Sequence, residues 1–277
     1  MSTTTTVTIT TTGLERFAPS KDERTVQEQI ASLTTKEKEC FDNLKAKWNS
    51  RTANDFFELD DGMILRFAYC SPGSEKFNEK ASWKVMEKFD RRFLKLKAVD
   101  IEHQLLSKTL FPIPGLKTLA GGHDVFYMRP SRYYPKETPT EDIVDNLGYC
   151  MTSMQDGNEK NSREGIGFVA NMDDWKMENF SFDYCLQFMN MLQGKIPVRV
   201  RMFLIVNPPG WFGTIWSIMK PMLSKDFRKK VNVIPETKLS KYLSEGFEDF
   251  LPDEFADGRA STDDIVKDFV AYRKSIE

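Results

Sequence analysis

The chain of 277 residues is 40% hydrophobic and 12% aromatic, enough apolar material for a substantial core in one large domain or two small ones, which excludes a disordered or fibrous protein. Lys plus Arg number 39 against 41 Asp plus Glu, so the formal charge of -2 supplies no global basic field of the kind that holds nucleic acid, and no nucleic-acid partner is expected. Four cysteines without a C-x-x-C spacing and only two histidines, His103 and His123, argue against a disulfide framework or a metal centre and point to a reducing, cytoplasmic compartment.

The first twelve positions hold eight threonines without the charge and apolar run of a signal peptide, so residues 1–22 are read as a disordered tail. Thr34 followed by Glu37 has the spacing of a capping box, and Cys40, Phe41, Leu44 and Trp48 then recur on one helical face, which predicts a helix over 35–49. Met63, Ile64, Leu65 and Phe67 make a second short apolar element, ended by Ser71-Pro72-Gly73-Ser74. Phe77, Ala81, Val85, Phe89 and Phe93 recur every four residues and predict a third helix with a broad apolar stripe. A helical subdomain is therefore expected over 23–110.

From His123 the pattern alternates. Asp124–Met128, Ile166–Ala170, Arg201–Val206 and Val231–Ile234 read as strands, separated by helical segments at Glu141–Met154, Phe182–Leu192 and Phe212–Leu223. Strands joined through helices predict a mostly parallel sheet, so 111–277 is expected to be an α/β domain with a C-terminal tail. Met202–Met219 is an uncharged run of 18 residues, but Asn207-Pro208-Pro209-Gly210 divides it into a strand, a turn and a helix.

Gly165-Ile166-Gly167-Phe168-Val169-Ala170 has the letters of a dinucleotide fingerprint, yet the glycines open a strand where the fingerprint requires a strand-to-helix turn. A nicotinamide-dependent oxidoreductase is thus the weakest of three readings. Neither a G-x-S-x-G elbow nor a phosphate loop occurs, and no catalytic residue is assigned. The adjacent pairs Asp60-Asp61 and Asp173-Asp174 read as turn residues.

The helix predicted after Pro209 is apolar around nearly its whole circumference, through Trp211, Phe212, Ile215, Trp216, Ile218, Met219, Met222 and Leu223. It is either an ordinary buried crossover or a segment that moves between burial and a membrane, and its Met and aromatic side chains suit an adaptable apolar cavity. Between Lys195 and Lys230 eight basic residues face one acid, whereas Glu236–Glu277 carries 6 basic and 11 acidic residues. Arg199 and Arg201 alternate at one strand start, as do Arg228 and Lys230 before the next, so the four would converge if those strands are neighbours. They form either a solvated rim or an attraction for an anionic membrane, worth roughly 1 kcal/mol per base.

The run Pro197–Pro209 (PVRVRMFLIVNPP), then Lys220–Leu223 (KPML) and Lys230–Ile234 (KVNVI), resembles the signature of the CRAL-TRIO lipid-binding domains. Supporting matches are Asp124–Arg129 with Tyr134 and Pro135, Gly165-Ile166 running to Asp173-Asp174-Trp175, Leu251–Phe255, and Leu65-Arg66-Phe67 in the helical part. The chain departs from the pattern at Val198-Arg199, at Ala68–Ser71, at Asn171 and at Phe255-Ala256-Asp257. The resemblance implies a sheet that floors a cavity for one hydrophobic molecule, a phospholipid, sterol or isoprenoid-like lipid, with no cofactor and no chemistry on the ligand. It implies floor and gate positions at Phe126, Phe168, Phe203, Ile205, Trp211, Phe212, Ile215, Trp216, Met219 and Met222. It also implies a phosphoinositide cleft at Arg199, Arg201, Arg228 and Lys230 and peripheral association with anionic membranes. Inward packing of Phe126, Phe168 and Phe203 would instead fill the cavity and leave a regulatory or interaction module.

Overall fold

Thr25 and Thr34 each close a capping box, and the helices they start are α1 (Val26–Ala31) and α2 (Thr35–Asn49). The Thr34 hydroxyl accepts from the Glu37 amide at 3.4 Å while the Glu37 carboxylate accepts from the Thr34 amide at 3.0 Å. Cys40, Phe41, Leu44 and Trp48 are the buried face of α2, as their spacing requires. Asp60 caps α3 (Asp61–Tyr69), which is buried from Gly62 to Tyr69. Asn78 caps α4 (Glu79–Lys88). The apolar stripe from Phe77 to Phe93 outlasts this helix, because Phe89 is extended and Asp90 caps a separate 3-10 turn, Arg91–Leu94. A short α5 (Glu102–Leu106) leads to the sheet.

This computed structural model describes residues 11–19, 23–51, 58–70, 77–154 and 160–277. The threonine tract up to residue 10 and the Ser71–Ser74 break lie outside the described residues. The tail expected over 1–22 does not extend to Thr11–Phe17, which is a 3-10 helix whose Phe17 ring is buried 5.7 Å from Phe269. An aromatic side chain with a packed partner holds that segment down.

Among the described residues five strands lie in the order β1-β2-β3-β4-β5. They are β1 (Leu110–Lys117), β2 (Asp124–Met128), β3 (Ile166–Asn171), β4 (Val200–Val206) and β5 (Val231–Ile234). β1 pairs antiparallel with β2, and the other neighbours are parallel. The chain crosses between parallel strands through α6 (Thr140–Ser153) and α7 (Lys160–Glu164), then α8 (Phe182–Gly194), then α9 (Phe212–Met219) and α10 (Lys225–Lys230). α11 (Thr262–Ile276) closes the fold, capped by Ser261. The molecule is thus mixed α/β with a mostly parallel sheet behind an N-terminal group of helices. β1 carries Pro112 and Pro114, which an edge position tolerates because the missing amides face away from the ladder.

Arg66 joins the two parts. It is fully buried in α3 and donates through Nε to the Pro197 carbonyl at 2.8 Å and through Nη2 to the Met151 carbonyl. Gly165 opens β3 at φ +96°, and an added Cβ would lie 2.3 Å from the Arg199 carbonyl oxygen, so the glycine is required by close strand approach. The fingerprint glycines therefore sit at the amino end of a strand, away from any helix N-terminus that could hold a pyrophosphate.

Candidate functional site

Register decides which side chains share the sheet face under α8. Phe126, Phe168 and Phe203 are aligned on β2, β3 and β4, and their rings stand 5.9 and 5.4 Å apart. Two residues further along, Met128, Ala170 and Ile205 form the next row on the same face. Phe188 of α8 covers the first row, 6.3 Å from Phe168 and 6.0 Å from Phe203. The second row is left under a cavity of about 120 Å³, towards the carboxyl ends of the parallel strands.

Met128, Ala170, Phe203, Ile205 and Val231 make its floor. α8 contributes Tyr184, Cys185, Phe188 and Met189, and α9 contributes Phe212, Ile215, Trp216 and Met219 as the outer wall. Leu223 and Phe227 close one end, while Pro130, Tyr133, Met172, Trp175, Asn179 and Ser181 close the other. None of these side chains is charged. Asn179 is fully engaged, donating to the Ser131 and Tyr133 carbonyls and accepting from the Lys176 amide. Burial pushes the Cys185 thiol up to about 12, and it also raises the Tyr184 phenol, so both stay protonated at neutral pH.

Of the predicted floor and gate positions, Phe203, Ile205, Phe212, Ile215, Trp216 and Met219 come together around this cavity. Phe126 and Phe168 lie outside it. Phe168 is fully buried beneath Phe188, and Phe126 lines a separate cavity of about 160 Å³ with Phe17, Pro112 and Met154. Trp211 stands behind the wall with its ring 4.6 Å from Trp175, and Met222 points outward, 46% exposed. The helix predicted over 212–223 ends at Met219 and passes into a 3-10 turn, Lys220–Met222. The outer side of the helix exposes Ile218 and the turn exposes Met222, so the segment is apolar on two sides and not buried all round.

The four basic positions gather at the amino ends of β4 and β5, but most are occupied. Arg199 donates to the Tyr69 and Arg163 carbonyls, and Arg201 Nε donates to the Glu164 carbonyl at 2.6 Å. These guanidinium groups fasten α3 and α7 to β4. Arg228 and Lys230 do not alternate on a strand as expected, because they belong to α10, where residues two apart diverge. Lys230 pairs with Asp226 at 2.7 Å, and Arg228 Nε is buried without a partner among the described residues.

Trp175, Tyr184, Cys185 and Phe188 are cavity residues that the sequence patterns above do not mark. The apolar, Met-rich face of α8 was the available signal for the last three. Trp175 sits in a loop, where no periodicity marks it. Among the described residues no group of His, Cys, Asp and Glu stands where it could hold a metal ion, and no helix is long and apolar enough to cross a membrane.

A helical cap, a mostly parallel sheet and an uncharged cavity between sheet and crossover helices define a lipid-binding domain. Comparison with protein families matches residues 120–256 to the CRAL/TRIO domain, so this part of the chain is a CRAL/TRIO domain. Tyrosine-protein phosphatase non-receptor type 9 from Mus musculus and from Homo sapiens are each 25% identical to this chain over 111 residues, which is 40% of this chain. The match takes in 18% of each phosphatase, so the chain spans less than a fifth of these relatives. Among solved structures, the crystal structure of Sfh5 superposes with a TM-score of 0.57 at 15% identity, covering 88% of this chain and 98% of that one, a likeness of fold.

Proposed function

We propose that the protein binds one hydrophobic molecule, a phospholipid, sterol or isoprenoid-like lipid, in the cavity between the sheet, α8 and α9, and carries it between membranes without chemistry on it. The observation that carries this reading is an uncharged cavity whose outer wall is a single eight-residue helix with apolar side chains on both sides. Closed, α9 presents Phe212, Ile215, Trp216 and Met219 to the ligand. Swung outward, the same residues with Ile218 and Met222 can enter a bilayer surface. A volume of about 120 Å³ is below the roughly 300–1,000 Å³ of ordinary ligand pockets, so loading a lipid requires α9 to move, and α9 is the gate.

The exposed Lys220, Lys225 and Lys229 beside α9, with Arg228, favour an anionic, phosphoinositide-containing surface. Arg199 and Arg201 act in this cleft mainly by fixing its walls. The protein is accordingly read as cytoplasmic with peripheral membrane association. Transfer of fluorescent phospholipid and sterol between vesicles tests the function. Transfer is expected to quicken with acidic lipid, slow with salt, and fall at least fivefold in an Ile218→Asp, Met222→Asp variant. Absence of transfer for every lipid class would overturn the reading. The small closed volume favours a second reading, a regulatory module of the same fold with a filled cavity, which that same result would support.

A further inference from the structure

The apolar cavity has an uneven remainder of polarity. Trp175 lines it and is 6% exposed, yet its indole Nε1–H is buried with no acceptor among the described residues. Tyr184, half-buried, also lines it, and no hydrogen bond of its hydroxyl is formed among the described residues. A buried donor without an acceptor costs of the order of 1–3 kcal/mol, so such groups are normally satisfied. The other polar side chains of the wall are engaged: Asn179 with backbone on both of its ends, Ser181 Oγ with the Tyr184 amide, and the Tyr133 hydroxyl with Thr140. What remains open is one buried donor, the Trp175 N–H, with the Tyr184 and Ser181 hydroxyl protons and the weaker Cys185 thiol beside it, and no charge.

Resting on the lipid-binding reading above, we infer that the part of the ligand lodged in this cavity is uncharged and carries an acceptor oxygen, an ester, ketone or quinone carbonyl, held by Trp175 Nε1–H and the Tyr184 hydroxyl. A pure hydrocarbon leaves both donors unsatisfied. A carboxylate or ammonium brings a charge into walls that hold no counter-charge, at a desolvation cost that neither donor offsets. The Trp175 ring also packs on Trp211, centroids 4.6 Å apart and tilted by 38°, immediately before α9, so the donor sits where the gate meets the end of the cavity and ligand contact there is coupled to closure.

The test offers the purified full chain vesicles of phosphatidylcholine doped equally with methyl stearate, stearic acid and octadecane, and quantifies each compound retained on the re-isolated protein. The ester is expected to exceed both others about tenfold. Trp175→Phe and Tyr184→Phe are each expected to reduce ester retention about threefold to tenfold and leave octadecane unchanged. Trp175→Phe also removes ring packing on Phe180, Trp211 and Phe212, so the readout that separates the anchor from a merely structural role is the ratio of ester to octadecane retained, which packing alone does not move. Equal retention of ester and hydrocarbon, preference for the acid, or ester binding indifferent to both substitutions overturns the inference while leaving lipid binding intact. Retention of none of the three and of no phosphatidylcholine overturns the lipid-binding reading and this inference with it.

Discussion

Filling the cavity from its floor separates packing from function. Ala170 is 3% exposed, lies between Met128 and Ile205 in register, and faces the empty volume. Ala170→Leu adds three carbons, which at roughly 30 Å³ each, the share of one water in the liquid, need about 90 Å³. The cavity of about 120 Å³ accommodates them. Three buried methylenes contribute at most about 2.4 kcal/mol, and imperfect fit removes part of this, so stability should rise by about 0–2 kcal/mol. Urea unfolding reads that term, and retention of a lipid by the re-isolated protein reads the loss of space, expected to be at least tenfold. Destabilisation by more than about 2 kcal/mol with lipid retention unchanged would refute the placement of the cavity over Ala170.

Phe168→Ala should be far more costly, about 3–5 kcal/mol by chemical denaturation, because the ring touches Phe126, Phe188 and Phe203 and leaves a void that packed elements cannot close. Arg66→Ala should cost about 3–5 kcal/mol, since the Pro197 and Met151 carbonyls lose their donor in a buried junction, and Arg66→Lys should recover little because one ammonium cannot reproduce the planar fork. Burial pushes the fully buried Cys150 thiol from 9.0 to about 12, so the folded protein keeps a proton that the unfolded chain releases. The stability tied to the neutral thiol is complete below pH 9 and is lost as pH rises from 9 towards 12, by about 1.4 kcal/mol per pH unit. Unfolding at pH 8 and pH 10 should show this loss, and Cys150→Ala should reduce it; an identical loss in the variant would contradict the assignment.

Much of this fold is legible in the residues themselves. β3 and β4 announce themselves because a strand buried between helices is a short, nearly unbroken apolar run, and α2 does so because Thr34 and Glu37 have the spacing of a capping box. β1 is hidden by Pro112 and Pro114, which look like breaks unless the strand is known to be at an edge. α10 is hidden because Phe227 is its only buried residue. The wall of the cavity is legible in the Met and aromatic content of α9, but its depth is not. Phe126 and Phe168 share a face with Met128 and Ala170, and only the landing point of Phe188 decides which pair lines the space. Arg199 and Arg201 read as free charges until the carbonyls of Tyr69, Arg163 and Glu164 are seen to occupy them.

The central claim, that this protein carries a hydrophobic cargo behind α9, is met most directly by organic extraction of the protein purified from cells, followed by lipid mass spectrometry beside the Ala170→Leu variant. One enriched lipid near one molecule per chain, depleted at least tenfold in the variant, is expected. No lipid above background, together with failure to take up added phospholipids, sterols and isoprenoids, would contradict it.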